Sequence, residues 1–256
     1  MTPAPVGLRC PEHAGRPQGI QRVTRAAERA VAGTAARRMN AVTLALIAVN
    51  VAVAVAEIAI SGTFAPNTIF DRGALIGNGC CIDGRLVGVA HGEWWRMVTS
   101  MFLHGGYFHI AVNMYSLYFV GSILEHVIGR WRFLLLYLAS GIAGSAGALV
   151  WSPLTPTVGA SGAIFGVLGA LFVLERRGAI VTGGQIAGLI VLNLVITFAL
   201  SSYISVGGHV GGLIAGIVLM WLMLEFRRSA AYSLAASAGI VVLSFLVAYA
   251  KVRNYH

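Results

Sequence analysis

Seven stretches of this sequence contain no lysine or arginine and consist mainly of apolar residues. They cover residues 41–60, 97–124, 133–151, 160–174, 183–200, 206–224 and 231–250. A helix needs roughly 20 predominantly apolar residues to cross the hydrocarbon core of a bilayer. We therefore predict seven transmembrane helices, which leave little of the chain for any other kind of fold.

The composition also indicates a protein that lies in a lipid bilayer. Only 11% of the residues are charged and 57% are hydrophobic, whereas an average soluble domain is about 25% charged. A soluble chain of 256 residues needs far more ionic surface than this, so the soluble globular and disordered classes are excluded. We predict an all-α polytopic membrane protein, with a transmembrane domain at residues 39–256 after a basic cytosolic tail at residues 1–38.

The basic residues predict the orientation of these helices. If the N-terminus is cytoplasmic, thirteen arginines lie on the cytoplasmic side and five lysines and arginines lie outside. The positive-inside rule then favours an N-in, C-out topology. A net charge of +9 would suggest a nucleic-acid partner in a soluble protein. Here it is an orientation signal, and the expected surroundings are membrane lipids and no nucleic acid.

Two segments outside the predicted helices are long. Residues 61–96, called the outer loop below, contain Trp94 and Trp95, whose indole rings favour the membrane–water interface. The tail at residues 1–38 is either a solvated arm or a basic helix that contacts anionic lipid. In that tail, Cys10 and His13 have half the spacing of a zinc site but no second pair, so we expect no metal.

Three polar residues from different predicted helices fall at one depth. His109, Ser161 and His209 each lie 14 to 16 residues before the glutamate that ends their helix. At about 1.5 Å per residue, each is roughly 21–24 Å from the cytoplasmic edge of a hydrocarbon core about 30 Å thick. Asn113 lies one turn deeper than His109 on the same helix face. Polar groups inside a membrane are costly and therefore indicate a functional site.

The residues around Ser161 predict that it begins a helix. A loop with two prolines and Gly159 precedes it, and an apolar run beginning with Gly162 follows. The unpaired N–H groups and positive potential of a helix N-terminus suit an oxyanion that develops during a reaction.

His209 is followed by Gly212 and Gly216, a small-xxx-small face that allows two helices to approach closely. If this face packs against the glycines that follow Ser161, the imidazole reaches the serine hydroxyl. Glycine runs and single histidines in membrane helices are, taken alone, typical of packing. Their occurrence together at matched depth favours a site.

The acidic residues restrict the chemistry. Both aspartates of the chain lie in the outer loop, and Glu57 in the first helix is the one acid near the depth of Ser161 and His209. We therefore predict a Ser–His dyad and no Ser-His-Asp triad. Ser161 would be the nucleophile, and His209 would take its proton and pass it to the leaving amine. Asn113, His109 and the helix start at Ser161 would stabilise the oxyanion.

Together these motifs resemble the rhomboid family of intramembrane serine proteases. The resemblance extends over about half of the chain and comprises four motifs in order. They are the Gly92-Glu93-Trp94-Trp95-Arg96 segment, His104 with His109 and Asn113, the Gly159-Ala160-Ser161-Gly162 segment, and His209 with Gly212 and Gly216.

The resemblance implies a six-helix core, here with a seventh C-terminal helix at about residues 231–250, in a bacterial inner membrane. It implies cleavage of transmembrane substrates that enter laterally from the lipid, near the outer face and without a cofactor. Phe165 stands where some members have tyrosine and is expected to stack on His209. Glu125-His126 departs from the Glu-Arg that many members have after the second helix.

Two other functions fit parts of the pattern. A proton-coupled transporter could use His104, His109 and His209 as a relay, but the internal repeat that transporters often have is missing from the sequence. A non-catalytic rhomboid-like binder of membrane proteins is the other alternative. Such relatives lack the serine or the histidine, and this chain has both.

Overall fold

The computed structural model describes residues 2–4, 7–9, 40–64, 67–82, 85–226 and 229–255. The chain forms two units, Met1–Met39 and Asn40–His256. In the first unit, strands β1 (Thr2–Ala4) and β2 (Gly7–Arg9) pair antiparallel. The rest of the predicted tail, with Cys10 and His13, lies outside the described residues.

The second unit consists mainly of seven long helices, as the apolar runs predict. They are α1 (Ala41–Ser61), α2 (Tyr107–Ile128), α3 (Arg130–Trp151), α4 (Ser161–Arg176), α5 (Gln185–Ala199), α6 (Val206–Glu225) and α7 (Ala230–Val252). In the described part of the chain, five of them are long and apolar enough to cross a membrane, and α4 and α5 are shorter, with 16 and 15 residues. The protein is therefore an all-α polytopic membrane protein.

The second helix begins ten residues later than predicted. The run at 97–124 is not one helix: a short helix (Arg96–Thr99) and a 3₁₀ turn (Ser100–Phe102) come first, and α2 begins at Tyr107. Gly106 ends the intervening loop at φ 153°, a conformation open to glycine. An apolar run does not reveal such a break, because hydropathy depends on side-chain polarity and not on where the backbone turns. Within α2, Leu117–Gly121 form a π-turn.

Helices α3, α4 and α6 pack with their backbones in close contact. A Cβ atom on Gly144 of α3 would lie 2.9 Å from the carbonyl oxygen of Gly208 in α6. One on Gly147 would collide with the carbonyl of Gly207. Close backbone approach at small residues is how membrane helices gain packing energy without a hydrophobic driving force. The α3 glycines form a third surface of this kind, which was not predicted from the sequence.

Glu125 near the end of α2 holds the start of α1. Its carboxylate accepts hydrogen bonds from the Val42 and Thr43 backbone N–H groups, at 3.0 and 2.8 Å, and from the Thr43 hydroxyl at 2.7 Å. A helix start carries unpaired N–H groups and a positive potential, so a carboxylate there is stabilising. Glu125 thus joins the first two long helices whichever residue follows it.

The outer loop is organised around one buried arginine. It contains a short helix (Thr68–Gly73), a hairpin of β3 (Gly79–Ile82) with β4 (Arg85–Val87), and a 3₁₀ turn (Val89–His91). The Arg96 guanidinium, 1% exposed, pairs with Glu93 at 2.7 Å and donates to the carbonyls of Asp71 and Ala74. Trp94, which follows Glu93, contacts Phe245 of α7 at 5.9 Å between ring centroids.

Candidate active site

Ser161 is the first residue of α4, at the end of a loop whose backbone is anchored on both sides. Leu75 of the outer loop and Thr157 exchange two backbone hydrogen bonds, at 3.0 and 2.8 Å. The Gly159 N–H donates to the Ser100 carbonyl at 2.9 Å, and Gly159 has φ 125°. The first helical bond runs from Ile164 to Ala160, so the N–H groups of residues 161–163 remain at the open helix end.

Two glycine contacts bring α6 against α4. A Cβ atom on Gly212 would collide with the carbonyl oxygen of Gly162, and one on Gly216 with that of Gly166. These are the two glycine faces on whose pairing the predicted site depends. With the backbones in contact, His209 Nε2 lies 2.8 Å from Ser161 Oγ, a hydrogen-bond distance.

Phe165 fixes the plane of the His209 ring. The two rings are stacked, with centroids 4.1 Å apart and an interplanar angle of 20°. Phe165 lies one turn after Ser161 on the same helix, so α4 supplies both the hydroxyl and the surface on which the imidazole rests. The contact expected from the sequence is present without the hydroxyl that a tyrosine would add.

Thr197 of α5 contacts the other nitrogen of the same ring. Its Oγ1 lies 2.7 Å from His209 Nδ1 and also 2.7 Å from the Asn193 carbonyl oxygen one turn earlier. Sequence reasoning missed this residue, because threonines in membrane helices commonly bond to their own backbone and carry little signal alone. It lies two residues before the end of α5, a position that by itself does not indicate a contact with the site.

His109 approaches Ser161 from α2. The Gly105 N–H donates to His109 Nδ1 at 3.3 Å, so in the neutral ring the proton is on Nε2. A Cβ atom on Gly159 would lie 2.8 Å from His109 Nε2 and 3.7 Å from Ser161 Oγ. Glycine at 159 therefore keeps open the space between this N–H and the serine hydroxyl.

Asn113, predicted to help stabilise the oxyanion, has no direct contact with Ser161 among the hydrogen bonds of the described residues. Its side-chain amide is buried and donates to the His109 carbonyl at 3.0 Å. No hydrogen bond joins it to Ser161 in the described part of the chain. One amide proton is used by its own helix, and the second is left for another acceptor.

His104 lies behind His109, fully buried in the loop that precedes α2. The two rings meet edge to face, with centroids 5.1 Å apart. Burial first, and the proximity of His109 second, lower the pKa of His104 to about 4. His104 is therefore neutral near pH 7, and His109 packs against its ring.

No acidic side chain reaches His209 among the described residues. Glu57, the one acid predicted near this depth, is buried on α1, where its carboxyl faces the Asn67 side chain and the His104 backbone. The described residues also contain no group of three His, Cys, Asp or Glu side chains that could hold a metal ion.

A small cavity adjoins the serine. It has a volume of about 30 Å³, and Ser161, Gly159, Gly162, Ser100 and Ser205 are among its lining residues. One water molecule needs roughly 10–15 Å³ of such a cavity, so there is room for at least one water. Hydroxyl and backbone groups line it, which gives such water polar partners.

The fold and the site define a class: a polytopic helical membrane protein with a serine and a histidine hydrogen-bonded between two helices. A family model described as the Rhomboid domain matches residues 91–226, more than half of the chain. The chain belongs to the rhomboid family.

Several curated relatives share this region. Rhomboid protease GluP of Bacillus subtilis (strain 168) is 46% identical over 126 residues, which are 48% of this chain and 24% of that protein. Putative rhomboid protease YdcA of the same organism is 40% identical over 126 residues, 48% of this chain and 62% of the relative. Inactive RHOMBOID-like protein 8 of Arabidopsis thaliana is 31% identical, with 46% of this chain and 36% of the relative covered. The chain thus spans less than two thirds of the length of each.

Proposed function

We propose that this protein is an intramembrane serine endopeptidase that works through a Ser161–His209 dyad. The observation that carries the proposal is the 2.8 Å hydrogen bond between Ser161 Oγ and His209 Nε2 at the start of α4. A hydroxyl is a weak nucleophile until a base accepts its proton in the same step as the attack. The two similar Bacillus proteins that carry the name rhomboid protease support the same reaction class.

The reaction follows from these two side chains. Ser161 Oγ attacks the carbonyl carbon of a peptide bond while its proton passes to His209 Nε2. The imidazolium then gives that proton to the leaving amine as the C–N bond breaks, which leaves an acyl group on Ser161. A water molecule, for which the adjoining cavity has room, then attacks the ester carbonyl carbon while it gives a proton to His209. The imidazolium returns that proton to Ser161 Oγ as the acyl C–O bond breaks, which releases the second product and restores both side chains.

The negative oxygen of the tetrahedral intermediate needs donors close to Ser161. We assign this role to the N–H groups at the start of α4 and to His109 Nε2–H, with the remaining amide proton of Asn113 as a further donor. Donors that are already in place when charge develops lower the barrier most.

The substrates we propose are transmembrane segments of membrane proteins, which enter laterally from the lipid of a bacterial inner membrane. Helices α2 and α5 support this route. Each supplies a residue next to the dyad, His109 and Thr197, yet each also has a largely exposed outer face. Phe108 is 83% exposed and Val191 60%, so an apolar helix in the bilayer meets an apolar surface beside the site. No cofactor takes part in the proposed chemistry.

The test is cleavage of a single-span fluorogenic reporter by purified protein in liposomes. We expect Ser161→Ala and His209→Ala each to lower kcat/KM by at least about a thousandfold, as in other serine hydrolases. The exposed Ser201→Ala and His126→Ala are matched controls and should retain full activity.

Equal cleavage by the dyad variants would overturn the proposal. So would a folded wild-type protein that neither cleaves nor reacts with a fluorophosphonate at Ser161, which would leave a non-catalytic binder of membrane proteins. Ion flux through the same liposomes, lost in His209→Ala, would instead indicate a transporter.

A further inference from the structure

We infer that Thr197 is a positioning residue for the dyad: its hydroxyl selects the His209 tautomer that can act as a base. The inference rests on the proposed function. The contact that motivates it is the 2.7 Å approach of Thr197 Oγ1 to His209 Nδ1, on the side of the ring opposite Ser161.

The protons of the chain of hydrogen bonds can be counted. Thr197 has one hydroxyl proton, and the Asn193 carbonyl at 2.7 Å can only accept it. Thr197 Oγ1 must then accept from the imidazole, so the ring proton is on Nδ1. His209 Nε2 is left with a lone pair directed at Ser161, which is the form that can remove the serine proton.

The threonine side chain is itself held in place. It is 1% exposed, and a β-branched residue in a helix has few χ1 rotamers. Its bond to the carbonyl four residues earlier selects the rotamer in which Oγ1 lies against the helix. The oxygen that receives Nδ1–H therefore needs little ordering before reaction.

Two restraints then act on the imidazole. Stacking on Phe165 fixes the plane of the ring, but a rotation of about 180° about the Cβ–Cγ bond keeps that plane and exchanges the two edges of the ring. The bond to Thr197 removes that freedom and also stabilises the positive charge that the ring carries after it takes the serine proton. A buried aspartate does this work in Ser-His-Asp enzymes. Here the acceptor is a neutral hydroxyl on a different helix.

The bond also joins α5 to the site. Three side chains of α5 are buried, Ile186, Ile190 and Thr197. Among hydrogen bonds of the described residues, the one between Thr197 and His209 is the only one that links a side chain of this helix to another helix. The hydrogen bond from His209 to the Thr197 hydroxyl therefore forms only when α5 is packed in this position.

The experiment compares Thr197→Val, which keeps the shape and removes the hydroxyl, with Thr197→Ser, which keeps the hydroxyl. For Thr197→Val we expect kcat on the single-span reporter to fall about tenfold, the kinetic equivalent of one hydrogen bond, with KM unchanged. Thr197→Ser should stay within about threefold of wild type. Thr197→Ala is a second hydroxyl-free variant in case the valine protein does not fold.

A spectroscopic readout separates positioning from a general effect on folding. In ¹⁵N-histidine-labelled protein, the His209 signals, assigned by their loss in His209→Gln, should report the Nδ1–H tautomer in wild type and Thr197→Ser. A mixture of tautomers is expected in Thr197→Val.

The inference is overturned if Thr197→Val keeps wild-type kcat, or if its loss is not restored in Thr197→Ser. It is overturned equally if His209 shows the Nε2–H tautomer in wild type. The two kinetic results leave cleavage by the wild-type dyad, and hence the proposed function, in place, and the tautomer result is weighed against wild-type cleavage measured on the same protein. A failure of the proposed function appears separately, as a wild-type protein with no cleavage.

Discussion

At the scale of single residues, two histidines face Ser161 in opposite protonation patterns. The Gly105 N–H donates to Nδ1 of His109, so that ring presents an N–H to the site. Thr197 accepts from Nδ1 of His209, so that ring presents a lone pair. In the proposed mechanism the same kind of side chain is a donor in one position and a base in the other, and the partner of the nitrogen farther from Ser161 makes the difference.

His104 gives the protein a pH dependence of stability. Burial lowers the pKa of His104 to about 4 from its ordinary 6.5. The unfolded chain therefore binds more protons between these values, and the contribution of His104 is complete above pH 6.5 and is lost as the pH falls toward 4. At pH 5 the loss is about 2 kcal/mol.

Unfolding of the wild type and of His104→Gln in detergent, at pH 7.5 and at pH 5, measures this effect. Glutamine keeps a polar side chain without a titrating group, so the variant should lose less stability on acidification than the wild type. His109 and His209 are present in both proteins, so their own titration contributes to the acid-induced loss of each. An identical acid-induced loss in both proteins would contradict the prediction.

At the scale of helices, glycine contacts determine where the site residues meet. A methyl group on Gly216 would overlap the Gly166 backbone. We therefore expect Gly216→Ala to destabilise the protein by about 1–3 kcal/mol, the usual range for overpacking. Gly239 of α7 has no atom within 4 Å of an added Cβ, so Gly239→Ala is the matched control.

Thermal unfolding of the two purified variants tests this prediction. The control should be unchanged or stabilised by up to about 1 kcal/mol, because alanine favours a helix over glycine. If both substitutions lower the midpoint equally, close approach of α4 and α6 is not the reason that position 216 is glycine.

The pairing of α4 with α6 could be predicted from the sequence because two small-xxx-small faces occur at one depth. The start of α2 could not, since Gly105 and Gly106 change the chain direction without lowering hydropathy. Thr197 was equally hidden: its contact with His209 depends on how α5 rotates about its axis, and the predicted span has no polar stripe that fixes this rotation.

At the scale of the whole molecule, the orientation remains a prediction from charge. Thirteen basic residues against five favour a cytoplasmic N-terminus and a C-terminus outside. Alkaline phosphatase fused after residue 256 should then be active in cells, and green fluorescent protein fused there should be dark. A fluorescent, phosphatase-inactive C-terminus would reverse the topology and would place Ser161 nearer the cytoplasmic face.

The membrane character of the chain follows from its composition alone, because few charges and long apolar runs leave lipid as the only solvent. The way in which the outer loop joins the helices does not. Arg96 binds carbonyls more than twenty residues away, and Trp94 contacts Phe245 of α7. Contacts between residues so far apart in sequence produce no periodic pattern from which they could be predicted.

The backbone bonds between Leu75 and Thr157 have an evolutionary consequence. Main-chain hydrogen bonds hold the loop before Ser161, and they do not depend on which side chains the loop carries, proline apart. Leu154 and Thr155, both exposed in that loop, can therefore diverge between descendants while Ser161 keeps its place. The same two positions are suited to randomised libraries, where new surface beside the serine can be selected without rebuilding its geometry.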